Sequence, residues 1–188
     1  YLDVLKEKKP VGKRVAVMGA GGIGFDVSEY LTHGTTTPSL DKHQFMKEWG
    51  VDLTVSNPGG LANTAEVEAS PREVFLLQRK KTKVGAGLGK TTGWIHRTTL
   101  KHKGVHMMNL VNYVKIDDLG LHIEINGESK LLEVDNVIVC AGQEPRRDLQ
   151  DALVEAGLSV HLIGGADKAA ELDAKRAIKQ GTELAAAI

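Results

Sequence analysis

Two glycine clusters carry most of the chemistry that this sequence could perform. The first is "GAGGIG", residues 19–24, and the second lies within "KVGAGLGKTTGW", residues 83–94. Closely spaced glycines expose backbone N–H groups, and such groups bind the phosphates of nucleotides. The two clusters predict different ligands, because one fits a dinucleotide motif and the other ends like a nucleoside triphosphate loop.

The second cluster fails as a triphosphate site. A P-loop has four residues between its first glycine and the Gly-Lys pair, but Gly85 and Gly89 are separated by three, and Val84 stands where glycine is required. Such a loop should also follow a buried strand directly, whereas residues 78–83 are polar or charged. We therefore expect neither ATP nor GTP here. Lys90 has two interpretations: it binds phosphate from the loop before the next helix, or it is solvated.

The first cluster has the spacing and the setting of a dinucleotide-binding loop. It follows the apolar run at 13–18 and precedes a predicted helix at 23–31, as G-x-G-x-x-G requires. Gly19 permits a tight turn, Gly21 lets a pyrophosphate approach the backbone, and Gly24 lets helix and strand pack closely. The helix N-terminus adds N–H donors and positive charge. The candidate residues are Gly19, Gly21, Gly22, Ile23 and Gly24; the alternative is a glycine-rich turn without a ligand.

The residues that follow the second strand indicate which dinucleotide binds. An NAD site usually has an acid there for the ribose 2′-hydroxyl, whereas an NADP site needs cations for the 2′-phosphate. The run "EVFLLQ" at 73–78 is followed by Arg79, Lys80 and Lys81, with no acid. Arginine binds phosphate through two parallel hydrogen bonds and lysine adds a point charge. The pattern predicts NADP(H) bound by Arg79 and Lys80; the alternative is a solvated basic loop.

The pattern of elements that must position these residues predicts an α/β fold. It is a Rossmann-like, doubly wound parallel sheet with a small antiparallel β-meander as a crossover. The Asn-Gly pair at 126–127 predicts a tight turn within the meander. An insertion at 33–71 should hold one short helix near 42–49. Strands are expected at 13–18, 73–78, 105–110, 112–116, 121–125, 130–134, 136–140 and 159–163, and further helices at 91–101, 149–155 and 169–187.

Composition narrows the possible functions. Lys plus Arg and Asp plus Glu number 24 each, so no overall charge favours nucleic acid or a membrane as partner. No apolar run approaches the ~20 residues that span a bilayer. The seven histidines are scattered singly and predict no metal site. Because Cys140 is the one cysteine, an internal disulfide is excluded. We expect its side chain to be a buried thiol without a redox role. A single cysteine also suits a reducing compartment, so we expect a cytoplasmic location. Both ends of the sequence look truncated, so we interpret the chain as a fragment of a longer polypeptide.

Four segments resemble one known family. They are "GAGGIGFDVSEYL", "LLQRKKTKVGAGLGKTTGWIHRTTL", "VDNVIVCAGQEPRR" and "VHLIGGADKAAELDAKRAIKQGT". Together they resemble the C-terminal region of bacterial NADPH-dependent 2,4-dienoyl-CoA reductases, in the group of trimethylamine dehydrogenase-like and Old Yellow Enzyme-like flavoproteins. The similarity covers almost the whole chain, and its most specific blocks are "GLGKTTGWIHRTTL" and "CAGQEP".

The resemblance implies a fragment of a flavoprotein with two dinucleotide-binding domains. In that family a barrel carries FMN, a 4Fe–4S cluster and the substrate site, and an FAD domain is interrupted by an NADP(H) domain. Hydride passes from NADPH to FAD, and the electrons finally reduce an unsaturated fatty acyl-CoA in β-oxidation. One cysteine cannot supply the four thiolates of a cluster, so FMN and 4Fe–4S are implied for the parent protein only. We assign no catalytic residue within this chain.

The resemblance also implies domain boundaries and further cofactor contacts. Residues 1–12 would be a linker or helix end, 13–157 the NADP(H) domain, and 158–188 the returning part of the FAD domain, with the rest of the parent polypeptide as partner. Asp167 is displaced from the Gly-Asp pair of related flavoproteins. For the "CAGQEP" block the alternative is a turn in which proline stops the strand. The implied contacts are Ala141, Gly142 and Gln143 near nicotinamide or flavin, and Gly164, Gly165 and Asp167 near FAD.

Two other hypotheses remain open from the residues. The domain could serve a different flavin reductase that acts on an enoate or an amine. It could also be a non-catalytic module for nucleotide binding or oligomerisation.

Overall fold

Short apolar runs form a four-stranded parallel sheet in the computed structural model, which describes residues 1–170 and 174–188. The chain divides into two compact units, Tyr1–Ala141 and Gly142–Ile188. The first unit contains the sheet, with strand order β3-β2-β1-β7. Its strands are β1 (Arg14–Met18), β2 (Glu73–Leu77), β3 (His106–Met108), β4 (Val111–Asp117), β5 (Gly120–Ile125), β6 (Glu128–Leu132) and β7 (Asn136–Val139), and its helices are α1 (Leu2–Leu5), α2 (Gly22–Thr32), α3 (Lys42–Glu48) and α4 (Gly93–His102).

The sheet order confirms the predicted α/β fold. Strands β2 and β3 lie on one side of β1 in chain order, and β7 lies on the other side, so the order reverses between β1 and β7. All four strands run parallel. The strand predicted at 105–110 is shorter than expected, because Leu110 has a φ of 57° and the extended backbone ends before it.

The predicted antiparallel meander is β4–β5–β6. Between β5 and β6, Asn126 and Gly127 have φ values of 54° and 84°. Two successive residues with positive φ are typical of the two-residue hairpin turn that an Asn-Gly pair favours. The meander forms the connection from β3 to β7.

The period-two alternation along β1 and β2 produces three layers. Val15 and Val74 belong to a buried cluster with residues of α2 and α4, whereas Ala16 and Phe75 belong to a second buried cluster with the meander. The parallel sheet therefore lies between helices on one face and the antiparallel sheet on the other. Burial on both faces explains why the central strands are continuous apolar runs.

The insertion at 33–71 holds α3, as predicted. The Asp41 carboxylate caps this helix by accepting hydrogen bonds from the N–H groups of His43 at 2.9 Å and Gln44 at 3.1 Å. Two short 3-10 turns, Pro38–Leu40 and Pro58–Gly60, occupy other parts of the insertion. Just after it, Arg72 donates to the carbonyl of Leu31 at 3.1 Å and ties the end of the insertion to the end of α2.

The second unit differs from the prediction. It contains α5 (Gln150–Glu155), α6 (Gly164–Asp167) and α7 (Ala174–Ala187). The strand predicted at 159–163 is wrong: this segment has no partner strand among the described residues, and a strand needs a partner for its backbone N–H and C=O groups. The last helix was predicted from 169, but residues 169–170 are not helical, and residues 171–173 lie outside the described part.

In the part of the chain that the structure describes, no helix has both the length and the apolar character needed to cross a membrane.

Candidate nucleotide-binding site

The carboxyl ends of three neighbouring strands meet at one edge of the parallel sheet. Met18 is in register with Leu77 of β2 and with Val139 of β7. The Gly19 N–H donates to the carbonyl of Leu77 at 2.9 Å, and the Cys140 N–H donates to the carbonyl of Met18 at 2.8 Å. The segments that leave the three strands therefore begin side by side. The sheet order reverses at this edge, which is where open α/β sheets bind ligands.

Residues 19–24, here called the glycine loop, comprise a turn and the first three residues of α2. They pack too closely for side chains at two positions. Gly19 has a φ of 109°, and a Cβ added to it would lie 2.6 Å from the Cys140 carbonyl oxygen. A Cβ added to Gly24 would overlap the carbonyl oxygen of Gly19. The first turn of α2 thus packs directly against the backbone of Gly19. These two glycines have the turn and packing roles that the motif assigns to its first and third glycines.

The outer side of the glycine loop is open. No atom lies within 4 Å of a Cβ added to Gly21 or to Gly22. Gly21 is the N-cap residue of α2, no side chain caps the helix there, and its first turn contains no acid. The first N–H groups of a helix have no intrahelical partner and form its positive end. This end of α2 therefore fits a phosphate group. The Ile23 side chain packs against the core, so this residue could contact a phosphate only through its backbone.

A basic loop, defined here as residues 79–83, follows β2 at the same edge. Arg79, Lys80, Lys81 and Lys83 are exposed. Burial raises the pKa of the Tyr113 phenol, and the Arg79 charge acts in the opposite direction, which locates Arg79 near β4. The segment 74–116 contains nine Lys and Arg and no Asp or Glu. The balanced charge of the whole chain conceals this cationic segment.

Two amide side chains determine the path of the basic loop. Gln78 is only 9% exposed, and its Nε2 donates to the carbonyl oxygens of Lys80 at 3.1 Å and Thr82 at 2.6 Å. The Nδ2 of Asn109 donates to the carbonyl of Lys81 at 2.9 Å. Sequence reasoning placed Gln78 at the end of the second strand but assigned no role to Gln78 or to Asn109. The polar residue that ends the apolar run "VFLLQ" was the available signal for Gln78.

The second glycine cluster has a packing role. Val84 is buried in the core, and Leu88 packs against the same cluster. Gly85 has a φ of 79°, and a Cβ added to it would lie 2.7 Å from Phe25 and 2.9 Å from Arg97. The cluster thus docks on α2 and α4. Lys90 is exposed in the turn before α4, and its contact with phosphate stays a prediction.

Cys140 and Ala141 adjoin the glycine loop from the β7 side. Burial raises the pKa of the Cys140 thiol to about 11, so the thiol is protonated at neutral pH. Ala141 is exposed, and its backbone nitrogen would lie 3.0 Å from a Cβ added to Gly19. The structure therefore brings Ala141 together with the predicted glycine loop.

The second unit contains the other predicted cofactor residues. Gly142 and Gln143 are exposed. Gly164 donates its N–H to the Oε1 of Gln180 at 2.8 Å, and the Asp167 carboxylate accepts from the Nε2 of the same side chain at 2.8 Å. Gly165 is partly buried in the four-residue helix α6. The Gln180 side chain thus occupies the Gly164 N–H and the Asp167 carboxylate, which are two of the groups predicted to contact FAD.

Among residues 1–170 and 174–188, no three His, Cys, Asp or Glu side chains come together as a metal site.

The sheet order and its flanking helices define a Rossmann-like domain. The sequence matches the profile of the pyridine nucleotide-disulphide oxidoreductase family over residues 3–169. The chain belongs to this family, whose members are FAD- and NAD(P)-binding oxidoreductases. The family name refers to disulphide chemistry, but these 188 residues contain one cysteine and therefore no cysteine pair.

Solved structures resemble the chain in fold. A 2-naphthoyl-CoA reductase in complex with 2-naphthoyl-CoA matches with a TM-score of 0.56 and 21% identity, over 89% of this chain and 20% of that chain. A bacillithiol disulfide reductase from Bacillus cereus matches with a TM-score of 0.45 and 15% identity, over 82% of this chain and 36% of that chain. A ferredoxin reductase from Rhodopseudomonas palustris matches with a TM-score of 0.42 and 18% identity, over 79% and 28%. The chain thus spans about a fifth of the length of the naphthoyl-CoA reductase chain.

Proposed function

We propose that this chain is the NADP(H)-binding part of a flavoprotein oxidoreductase. The observation that carries the proposal is the position of the basic loop, which leaves the strand beside the glycine loop and has no acid at its start. NADPH supplies a hydride when it is bound. The residues of this chain bind and orient it.

Each cofactor contact in the proposal has a physical reason. The pyrophosphate would lie at the positive end of α2, against the backbone of the glycine loop, whose candidate residues are Gly19, Gly21, Gly22, Ile23 and Gly24. Arg79 offers a planar fork of N–H donors to the 2′-phosphate, and Lys80 adds a positive charge. Ala141, with Gly142 and Gln143 after it, would lie near the nicotinamide or the flavin.

The proposed activity of the parent enzyme is NADPH-dependent reduction of unsaturated fatty acyl-CoA, with electrons passed to FAD. The four sequence segments that resemble 2,4-dienoyl-CoA reductases support this activity. A 2-naphthoyl-CoA reductase whose structure was solved in complex with 2-naphthoyl-CoA has a similar fold. FMN and a 4Fe–4S cluster would belong to the rest of the parent polypeptide, in the bacterial cytoplasm.

The proposal keeps residues 13–157 as the NADP(H) domain and 158–188 as part of an FAD domain. Gly165 would meet FAD through its backbone. Gly164 and Asp167 would have to exchange their bonds to Gln180 for flavin contacts.

Anaerobic turnover of the full-length protein tests the activity. We expect 2,4-dienoyl-CoA to accelerate NADPH oxidation strongly, NADH oxidation weakly, and a saturated acyl-CoA of equal length to accelerate neither. Oxidation of bound NADPH only with a non-CoA enoate or an amine would favour a different flavin reductase. NADPH binding without oxidation by any acceptor would favour a non-catalytic module.

A further inference from the structure

We infer that Gln78 is a positioning residue for the 2′-phosphate site: its amide holds the basic loop in the conformation that binds this phosphate. The inference rests on the proposed NADP(H) site and adds a determinant of its specificity. Gln78 is the first residue after β2, at the position where an NAD site usually has an acid.

The Gln78 amide folds the basic loop back onto the end of the strand. Besides the carbonyls of Lys80 and Thr82, Nε2 lies 3.2 Å from the Thr82 hydroxyl oxygen. One NH2 group has two hydrogens, so the two Thr82 oxygens share one of them. The side chain is buried, and its donors are satisfied by the loop rather than by solvent.

The two residues between β3 and β4 hold the basic loop as well. Asn109 donates to the carbonyl of Lys81, and the Leu110 N–H donates to the carbonyl of Lys80 at 3.3 Å. Three successive carbonyl oxygens are thus engaged by protein donors, while the side chains of the basic loop are exposed. Carbonyl oxygens would repel an anionic ligand. Because these carbonyl oxygens are already held in the free protein, the entropic cost of ordering the basic loop when the nucleotide binds is also lower.

An acid at position 78 could not make these bonds. A carboxylate has no hydrogen to donate to the Lys80 and Thr82 carbonyls, and it would repel both them and a 2′-phosphate. The amide therefore favours NADP over NAD in two ways, by holding the basic loop and by omitting the negative charge.

A double-mutant cycle in the full-length protein tests the inference, with NADP⁺ and NAD⁺ as the titrated probes. Gln78→Met keeps the side-chain volume and removes both donors. We expect it to weaken NADP⁺ binding on the order of tenfold and to change NAD⁺ binding by less than about twofold. In a background that already carries Arg79→Ala and Lys80→Ala, the same change should affect neither nucleotide, because the residues through which Gln78 acts are absent.

The outcomes separate this inference from the proposed function. If the unmodified protein prefers NADP⁺ and Gln78→Met leaves that preference intact, the inference fails and the NADP(H) site stands. Equal loss of both nucleotides, or a loss that persists in the double-alanine background, makes Gln78 a general structural residue and overturns the inference. No preference in the unmodified protein defeats the proposed site itself. If Gln78→Met does not fold, Asn109→Ala should weaken NADP⁺ alone, and an unchanged NADP⁺ affinity would overturn the inference.

Discussion

The amide nitrogen of Gly19 donates a 2.9 Å hydrogen bond to the carbonyl oxygen of Leu77. This bond joins the glycine loop to the strand that carries the basic loop. Adjacent strands in a sheet lie about 4.8 Å apart, so the two loops proposed to bind phosphate start at a fixed separation. The site thus depends on backbone pairing as well as on the residues that would touch a ligand.

Gly24 and Gly21 should respond differently to a methyl group. Gly24→Ala places a Cβ on the Gly19 carbonyl oxygen, and we expect a loss of about 1–3 kcal/mol in the free energy of unfolding. Gly21→Ala meets no atom within 4 Å and should cost less than about 1 kcal/mol. Its methyl nevertheless lies on the open side, so nucleotide affinity should fall about tenfold or more, or about 1.4 kcal/mol. Thermal unfolding and calorimetric titration measure the two effects. Normal affinity in folded Gly21→Ala would refute a pyrophosphate at this loop.

The second glycine cluster should affect stability without binding a triphosphate. Gly85→Ala forces a left-handed residue against Phe25 and Arg97 and should cost about 1–3 kcal/mol. Gly87 has open space around it, so Gly87→Ala is the matched control and should change stability by no more than about 0.5 kcal/mol. ATP should compete weakly, if at all, with NADP⁺ in both variants. Tight ATP binding that Gly87→Ala abolishes would restore the P-loop interpretation.

Cys140 was expected to be buried, but the structure buries it only in part, and it should react as a partly buried thiol. Burial raises its pKa from 9.0 to about 11, so alkylation of the folded protein should reach half its maximal rate near pH 11 and that of the unfolded protein near pH 9. As the pH rises, the unfolded chain loses the Cys140 thiol proton near pH 9, before the folded chain does. The contribution of the protonated thiol to the free energy of unfolding is therefore complete below pH 9 and is lost as the pH rises toward 11. Cys140→Ala should lack this loss of stability. Mass spectrometry of alkylated protein measures the first effect, and rapid labelling at pH 7 would contradict it.

Local sequence patterns predicted much of the first unit. The runs that became β1, β2 and β7 are apolar because both faces of the sheet are covered, and Asn126-Gly127 has the backbone that its turn requires. The glycine spacing predicted the glycine loop because its constraints are steric and local. The family match and the sheet order agree with that interpretation.

Features that depend on distant partners were not predictable. The segment at 159–163 has a strand-like composition, but pairing depends on a neighbour that its own residues do not reveal. The bonds from Asn109 to the basic loop join residues 28 positions apart. The bond from Gln180 to Asp167 likewise links α7 to α6 across 13 positions. Polar side chains that satisfy backbone groups leave no periodic signal.

The relative affinity of the full-length protein for NADP⁺ and NAD⁺ at low ionic strength tests the central claim most directly. We predict a preference for NADP⁺ of at least about tenfold, since hydrogen bonds to a charged group are worth about 1.5–3 kcal/mol. The preference should shrink as salt is added. The Arg79→Ala, Lys80→Ala protein should bind both nucleotides with similar affinity, close to that of the unmodified protein for NAD⁺. Equal affinities in the unmodified protein, or tighter binding of NAD⁺, would contradict the account.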